Sequence, residues 1–199
     1  MTNQPIQKPA DTAAELHPLI AKRWSPRIFD SSHQLSDNET KSIAEAFRWA
    51  PSSSNQQPWH LVILRKGNEL HEQVSEVGLN GFNRAWASTA SAYAIVLADT
   101  MHEGEIRDRA ETFFDAGLAS AFLALQTEAL GLRAHFMGGI NRDEIAEIVG
   151  AVNREVICVA AIGMQGTLEN QSDELIKREQ QVRTRKAPAE IYSVDSKID

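Results

Sequence analysis

The sequence has one cysteine and no long apolar run, and both absences exclude classes of protein. Cys158 is alone among 199 residues, so it cannot form an internal disulfide or supply a cluster of thiolate metal ligands. Its place in the apolar run 156–162 favours a buried, structural role. No stretch approaches the roughly 18 to 20 apolar residues of a membrane helix, and the polar segment 1–11 lacks a signal-peptide core. These features predict a cytoplasmic protein.

Positive charge is also scarce, with 20 Lys and Arg against 27 Asp and Glu, for a net charge of -7. Nonspecific nucleic-acid binding needs a basic surface, so nucleic acid is not an expected partner. The hydrophobic fraction of 42% is ordinary for a globular chain. Since no repeat or linker divides the sequence, we expect one domain over 1–199, with residues 1–10 flexible and 167–199 an extended C-terminal arm.

Three common catalytic motifs are missing. The six histidines are scattered, and His71-Glu72 lacks the second histidine of zinc proteases, so no metal site is predicted. Ser52 to Ser54 have no Gly-x-Ser-x-Gly frame around them, which argues against a serine hydrolase. A Gly-x-Gly-x-x-Gly turn is absent as well, so a nicotinamide would bind without its own Rossmann module.

Apolar patterning predicts a buried sheet covered by helices on both faces. The runs 61–64, 92–98 and 156–162 are continuous and apolar, as in strands that are buried on both sides. Helices are expected late within 11–22, from a capping box at Ser36 and Glu39 to Pro51, at 112–130 and from Asn141 to Gly150. The helix at 112–130 is apolar nearly all round and so belongs in an interior or an interface.

Two polar clusters are candidates for chemistry. The segment Arg23-Trp24-Ser25-Pro26-Arg27-Ile28-Phe29 alternates Arg, Ser and Arg, which is suited to an anion such as phosphate but also occurs in solvated basic turns. The segment Pro51–Trp59 holds hydroxyl and carboxamide groups that could bind a polyol or a heterocycle edge. It could equally be a loop that satisfies its own backbone.

Together the two clusters resemble the signature of the flavin-dependent nitroreductase family, Arg-x-Ser-x-Arg-x-Phe followed by Ala-Pro-Ser-Ser-x-Asn-x-Gln-Pro-Trp. The resemblance covers most of the chain, because further family features follow in order. They are Asn83 with Trp86, Gly131-Leu132, Met137-Gly138-Gly139, and Arg185 six residues before Ile191. Trp86 departs from the pattern, since some members carry a lysine there. The resemblance implies an α+β, three-layer fold with a central mixed sheet, and a homodimer whose C-terminal tail wraps the partner subunit.

The resemblance also implies noncovalent FMN at the dimer interface. The cofactor-binding residues it implies are Arg23, Trp24, Ser25, Arg27, Pro51, Ser52, Ser53, Asn55, Gln57, Asn83, Met137, Gly138, Gly139, Arg183 and Arg185. The residues at 23, 25 and 27 and one of the two C-terminal arginines are expected around the phosphate. Residues 51, 52, 53 and 55 are expected to reach the flavin from the partner subunit, and Asn83 is expected to contact its pyrimidine edge. Gly138 and Gly139 let the backbone approach flavin N5.

The activity that the resemblance implies is electron transfer from NADH or NADPH, through FMN, to a small electron-poor acceptor such as a nitroaromatic or a quinone. Ping-pong kinetics are expected, and no catalytic side chain is required beyond the cofactor and its binding site. Two alternatives stay open: a flavin-binding or sensing module without turnover, and a specialised member such as a dehalogenase or a flavin-fragmenting enzyme. Residues 100–114 are the expected lid, although their charges are typical of a solvated helix face.

Overall fold

A computed structural model describes residues 4–195 and residue 197 as an α+β fold with helices on both faces of a central sheet. Short turns of other helix types lie at Ser53–Asn55, Val74–Gly78 and Pro188–Glu190. Within these residues no helix combines the length and the apolar character needed to cross a bilayer. The α-helices are α1 Pro18–Lys22, α2 Asp37–Arg48, α3 Glu69–Gln73, α4 Gly81–Ala87, α5 Arg109–Ala129, α6 Arg142–Val149 and α7 Asp173–Gln180. The strands are β1 Trp59–Arg65, β2 Ala92–Asp99, β3 Met101–His102, β4 Glu105–Ile106, β5 Arg133–Met137 and β6 Arg154–Gly163.

The central sheet has four strands in the order β1-β2-β6-β5. Its three ladders are all antiparallel, so within the described residues the sheet is antiparallel rather than mixed. The three predicted strands are confirmed as β1, β2 and β6. The fourth, β5, was not predicted, because its sequence carries Arg133 and His135 and no apolar run. It pairs with the end of β6 and leads directly to Gly138.

Strand β2 separates two hydrophobic cores. Seven of its eight residues are buried, and alternate side chains point to opposite faces. Tyr93 and Ile95 join one core, while Ala94 and Val96 join the other, which α2 and α5 cover. The expectation that helices cover both faces is therefore confirmed.

Side-chain caps set the starts of α2 and α5. The Ser36 hydroxyl accepts from the Glu39 N–H at 3.2 Å, and the Glu39 carboxylate accepts from the Ser36 N–H at 2.8 Å, so the capping box of α2 is confirmed. Helix α5 begins three residues before the expected 112, because Asp108 accepts from the Glu111 N–H at 2.8 Å. Its apolar surface is only partly covered, and Phe114 is 67% exposed.

The segment expected to form a lid is a β-hairpin followed by the first turns of α5. Strands β3 and β4 pair around Glu103 and Gly104, both of which have positive φ. The charges of residues 102–105 therefore lie on a hairpin, and the expectation of a helix face is wrong for them. After the hairpin, Arg107 Nη1 donates to Gln56 Oε1 at 2.6 Å, which ties this segment to the loop before β1.

The C-terminal arm is not extended throughout, because it contains α7. Ser172 Oγ accepts from the Leu175 N–H at 3.3 Å to cap this helix, and Leu175 and Glu179 are buried against the rest of the chain. The expectation of an extended arm is therefore wrong for residues 173–180. Beyond α7, Ile191 and Tyr192 are exposed.

The N-terminal arm, which we define as residues 6–10, lies against the body of the protein. Gln165 Nε2 donates to the Ile6 carbonyl at 2.7 Å, and the Ala10 N–H donates to the Ala21 carbonyl at 2.8 Å. The flexibility expected for residues 1–10 stays a prediction, and residues 1–3 lie outside the described residues. The arm's hydrogen bonds bring Lys8 next to α7.

Candidate functional site

A basic cavity of about 320 Å³ lies where the two arms meet the segment after α1. We call it the basic pocket. Its lining residues are Lys8, Arg23, Trp24, Ser25, Arg27, Arg178, Gln181, Val182, Arg183 and Arg185. Six of these ten residues are cationic, so the cavity is suited to an anion. The five candidates for a phosphate contact, Arg23, Ser25, Arg27, Arg183 and Arg185, all line this one cavity.

The alternation seen in the sequence explains how residues 23–28 build one wall. Trp24, Pro26 and Ile28 are buried, whereas Arg23 and Arg27 are only half-buried and line the pocket. The chain here is extended, so successive side chains point to opposite sides. Pro26 and Ile28 anchor the segment, while the polar residues line the cavity together with the buried Trp24.

The arginines of the pocket repel one another. Burial lowers the pKa of Arg23, and the positive charge of Arg185 lowers it further. Burial likewise lowers the pKa of Arg183, and the charges of Arg23 and Arg185 add to the effect. The repulsion between these positive charges costs free energy when no anion is bound. The pocket therefore favours the binding of an anion.

Both C-terminal arginines reach the pocket, but their hydrogen bonds differ. Arg183 Nη1 donates to the carbonyls of Lys8 and Ala21 at 3.1 and 2.9 Å, so it ties the N-terminal arm and α1 to the C-terminal segment. Arg185 Nη1 donates only to the adjacent Thr184 carbonyl, at 2.7 Å, among the described residues. Arg185 therefore keeps more donors available for a ligand.

One carboxylate lies beside these cations. Glu179, on α7, is 1% exposed, and its Oε2 accepts from the Arg27 N–H at 2.9 Å. Burial raises its pKa, and the Arg27 N–H and the Lys8 charge oppose the rise. Its Oε1 has no partner among the described residues. Glu179 thus fixes α7 to the wall of the pocket and partly offsets its charge.

Asn83 and Gly139 form a second part of the site. Asn83 Nδ2 donates to the Gly139 carbonyl at 3.0 Å, so Asn83 Oδ1 remains available to accept a hydrogen bond. A Cβ on Gly139 would lie 3.1 Å from that Nδ2, whereas a Cβ on Gly138 would meet nothing within 4 Å. Met137 is buried, so only its backbone can reach this surface.

The two parts are joined through α4 and α7. The Arg178 guanidinium lies 4.2 Å from the centre of the Phe82 ring, and Phe82 precedes Asn83 on α4. Trp86, at the position expected to hold a lysine in some family members, is buried beside His135 with ring centres 4.6 Å apart. Its side chain therefore belongs to the core below the site.

The second polar cluster lies elsewhere in the described chain. The Ser53 N–H donates to Asp115 Oδ2 at 3.1 Å, and the Gln57 N–H donates to Ser52 Oγ at 2.9 Å. Pro51 and Asn55 are exposed, and no hydrogen bond of residues 51–57 within the described chain reaches the basic pocket. Three residues of this loop, Ser54, Asn55 and Gln57, have positive φ between 47° and 57°. Strain of this kind is typical of segments shaped for a function.

Sequence analysis missed Lys8, Arg178 and Glu179. Lys8 lies in a polar segment, and the other two lie in a helix that was not predicted, so neither motif nor apolar pattern marked them. The sequence signal for this helix is weak. It consists of the candidate N-cap Ser172 and of Leu175, Ile176 and Glu179, which have the spacing of one helix face.

Comparisons with known proteins concern the family and the fold of the chain. A family model described as the nitroreductase family matches residues 20–98. A crystal structure described as an oxidoreductase containing FMN is 34% identical, with a TM-score of 0.85, and the match covers 100% of this chain and 99% of that one. An oxygen-insensitive NADPH nitroreductase of Helicobacter pylori strain J99 is 37% identical over 78 residues, and the match spans 39% of this chain but only 36% of the relative. A protein of Archaeoglobus fulgidus, named as a candidate NADH dehydrogenase/NAD(P)H nitroreductase, is 29% identical over 150 residues, which is 73% of this chain and 82% of that protein.

Proposed function

The chain belongs to the nitroreductase family, and on that premise we propose that it is an FMN-dependent oxidoreductase that takes electrons from NADH or NADPH. The observation that carries the proposal is the basic pocket, where Arg23, Arg27 and Arg185 converge from distant parts of the sequence. A phosphate monoester carries close to two negative charges at neutral pH, and guanidinium groups bind its oxygens through charge-assisted hydrogen bonds. The family's cofactor thus has a site that fits its most charged group.

The surface beside the pocket suits the flavin ring. Asn83 Oδ1 can accept from an N–H of a heterocycle edge, because its Nδ2 is already held by the Gly139 carbonyl. The space above Gly138 is open, so a planar ring can lie against the backbone there. When bound, FMN would supply hydride acceptance and electron release, which no side chain of the protein can perform.

The proposal includes a homodimer. Pro51, Ser53 and Asn55 are exposed and do not line the basic pocket of their own chain, so we propose that a second copy brings them to the flavin. Helix α5 carries the exposed Phe114 and Phe122, an apolar surface that a second copy would cover. We further propose that the tail beyond α7, with Ile191 and Tyr192 exposed, packs on the partner subunit.

The electron acceptor is proposed as a small electron-poor molecule, a nitroaromatic or a quinone. Donor and acceptor would use the same open surface in turn, because the sequence has no separate dinucleotide-binding turn. This predicts ping-pong kinetics with parallel double-reciprocal lines. Intersecting lines would contradict the shared surface. A cytoplasmic location remains part of the proposal.

An absorbance spectrum followed by anaerobic reduction tests the function. We expect the purified protein, reconstituted with FMN if needed, to show a flavin band that bleaches with NADH or NADPH and recovers with a nitroaromatic or a quinone. Arg23→Met should lose FMN, while Arg48→Met is the matched control, because Arg48 is exposed and paired with Glu45 at 2.7 Å. A wild-type protein that cannot be reconstituted would refute the cofactor assignment. Bound flavin that neither nicotinamide reduces would instead indicate a binding or sensing module.

A further inference from the structure

We propose that Lys8 is a further ligand for the cofactor phosphate and that the N-terminal arm is a strap that closes the basic pocket over it. The inference rests on the proposed function, since it assigns one more residue to the same site. It extends that site to a part of the chain that precedes the Arg-x-Ser-x-Arg segment and carries no recognised motif.

The position of Lys8 is fixed from both sides. Ile6 and Ala10 hold the arm through the hydrogen bonds to Gln165 and Ala21 described above. The Lys8 carbonyl itself accepts from Arg183 Nη1 at 3.1 Å. The arm therefore presents the Lys8 side chain to the pocket at little further entropic cost.

The ammonium group has donors to spare. Lys8 Nζ lies 4.4 Å from the centre of the Trp24 ring and donates to the Gln181 carbonyl at 2.7 Å. An ammonium group has three N–H donors, and among the described residues this carbonyl is the one hydrogen-bond acceptor that it meets. The remaining donors are available to a ligand in the cavity that Lys8 lines.

The charge of Lys8 is costly without an anion. Burial lowers its pKa, Glu179 raises it and Arg27 lowers it again. A buried carboxylate already offsets part of the local charge, yet six cations remain around the cavity. A bound dianion would offset the repulsion between the Lys8 and Arg27 charges. The Lys8 charge, which is unfavourable in the free protein, would therefore make the free energy of anion binding more favourable.

The side chain and the arm can be separated by mutation. The contact with Arg183 uses the Lys8 carbonyl, so Lys8→Met keeps that bond and keeps an unbranched chain that can lie on Trp24. Lys8→Arg retains the charge. Lys66→Met is the matched control, because Lys66 also donates to a backbone carbonyl, that of Ser31 at 3.2 Å, but lies outside the pocket.

The experiment compares the affinities of FMN and of riboflavin, which lacks the phosphate, by quenching of flavin fluorescence. We expect Lys8→Met to raise the Kd for FMN about tenfold, the equivalent of about 1.4 kcal/mol, and to leave the Kd for riboflavin unchanged. Lys8→Arg should restore most of the loss, and Lys66→Met should match the wild type. Thermal unfolding without flavin should be the same for Lys8→Met and the wild type.

Each other outcome has a distinct meaning. If Lys8→Met weakens FMN and riboflavin equally, or lowers the flavin-free stability, Lys8 supports the fold and the inference is overturned. If its FMN affinity equals that of Lys66→Met, the phosphate does not contact Lys8 and the inference is again overturned. If the wild type prefers FMN to riboflavin in either case, the proposed function still stands. If the wild type binds neither flavin, the proposed function itself fails.

Discussion

Loss of the Arg133 side chain should destabilise the protein severely, because it would leave a buried carboxylate without its partner. Arg133 Nη1 lies 2.8 Å from Glu128 Oε2, and the two side chains are only 10% and 6% exposed. Burial raises the pKa of Glu128, and the Arg133 charge opposes that rise. Breaking such a pair from one side costs about 3 to 5 kcal/mol. For a chain of this size that corresponds to a fall in Tm of roughly 6 to 20 °C.

The assay is denaturant unfolding of flavin-free Arg133→Met and of the double variant Glu128→Gln/Arg133→Met, at one protein concentration. The double variant has no charge left at this pair of positions, so we expect it to recover most of the loss. The comparison separates the buried charge from lost packing, because both variants lack the arginine.

The pH dependence gives a second readout. Without Arg133, the folded-state pKa of Glu128 lies further above its unfolded value, so the neutral carboxyl favours folding at low pH. That contribution is lost as the pH rises through the folded-state pKa. The gap in stability between Arg133→Met and the double variant should therefore be larger near about pH 8 than near about pH 5. A loss below about 1 kcal/mol, or a gap that does not change with pH, would refute the reasoning.

Two further predictions concern the flavin surface and the core below it. Gly138→Ala should leave the flavin-free stability within about 0.5 kcal/mol of wild type, because the added Cβ meets nothing within 4 Å. In a fluorescence titration, however, the variant should bind both FMN and riboflavin more weakly than the wild type. Unchanged affinities would mean that the flavin ring does not lie against Gly138. Burial lowers the pKa of His135 to about 4. As the pH falls below 6.5, His135 is therefore protonated in the unfolded chain before it is protonated in the folded protein. The protein should lose about 3 kcal/mol of stability through this group by pH 4, and His135→Gln should show a smaller fall in acid unfolding curves.

The elements that could be predicted from the sequence are those whose signal lies within one short segment of the chain. Strands β1, β2 and β6 are runs of apolar residues, and α2 carries its own capping box, so each could be recognised alone. Strand β5 could not, since its Arg133 and His135 are buried only because groups outside the strand satisfy them. These groups are the Glu128 carboxylate and the Pro26 carbonyl, the latter 2.8 Å from His135 Nδ1. Helix α7 was missed because its sequence is mostly charged.

The candidate site divides in the same way. The motif around Arg23 and Arg27 was visible because its residues are adjacent in the chain, and the pocket confirms that they lie on one wall. Whether Arg183 or Arg185 meets the ligand was open, and the hydrogen bonds of Arg183 now favour Arg185. Lys8 could not be found, since only the folded chain brings it to the cavity. The roles assigned to residues 51–57 stay predictions.

The meeting of the two arms sets an order of events during translation. Lys8 bonds to the Gln181 carbonyl across 173 positions, and Arg183 bonds to the Lys8 carbonyl across 175. The described strands, in contrast, are all synthesised by Gly163. Ribosomes add residues from the N-terminus at about 5 to 20 per second, so the sheet can assemble while the basic pocket still lacks half of its cations. On the proposed function, loading of the cofactor would follow synthesis of α7, and a nascent chain arrested before that helix would hold a folded sheet but no FMN.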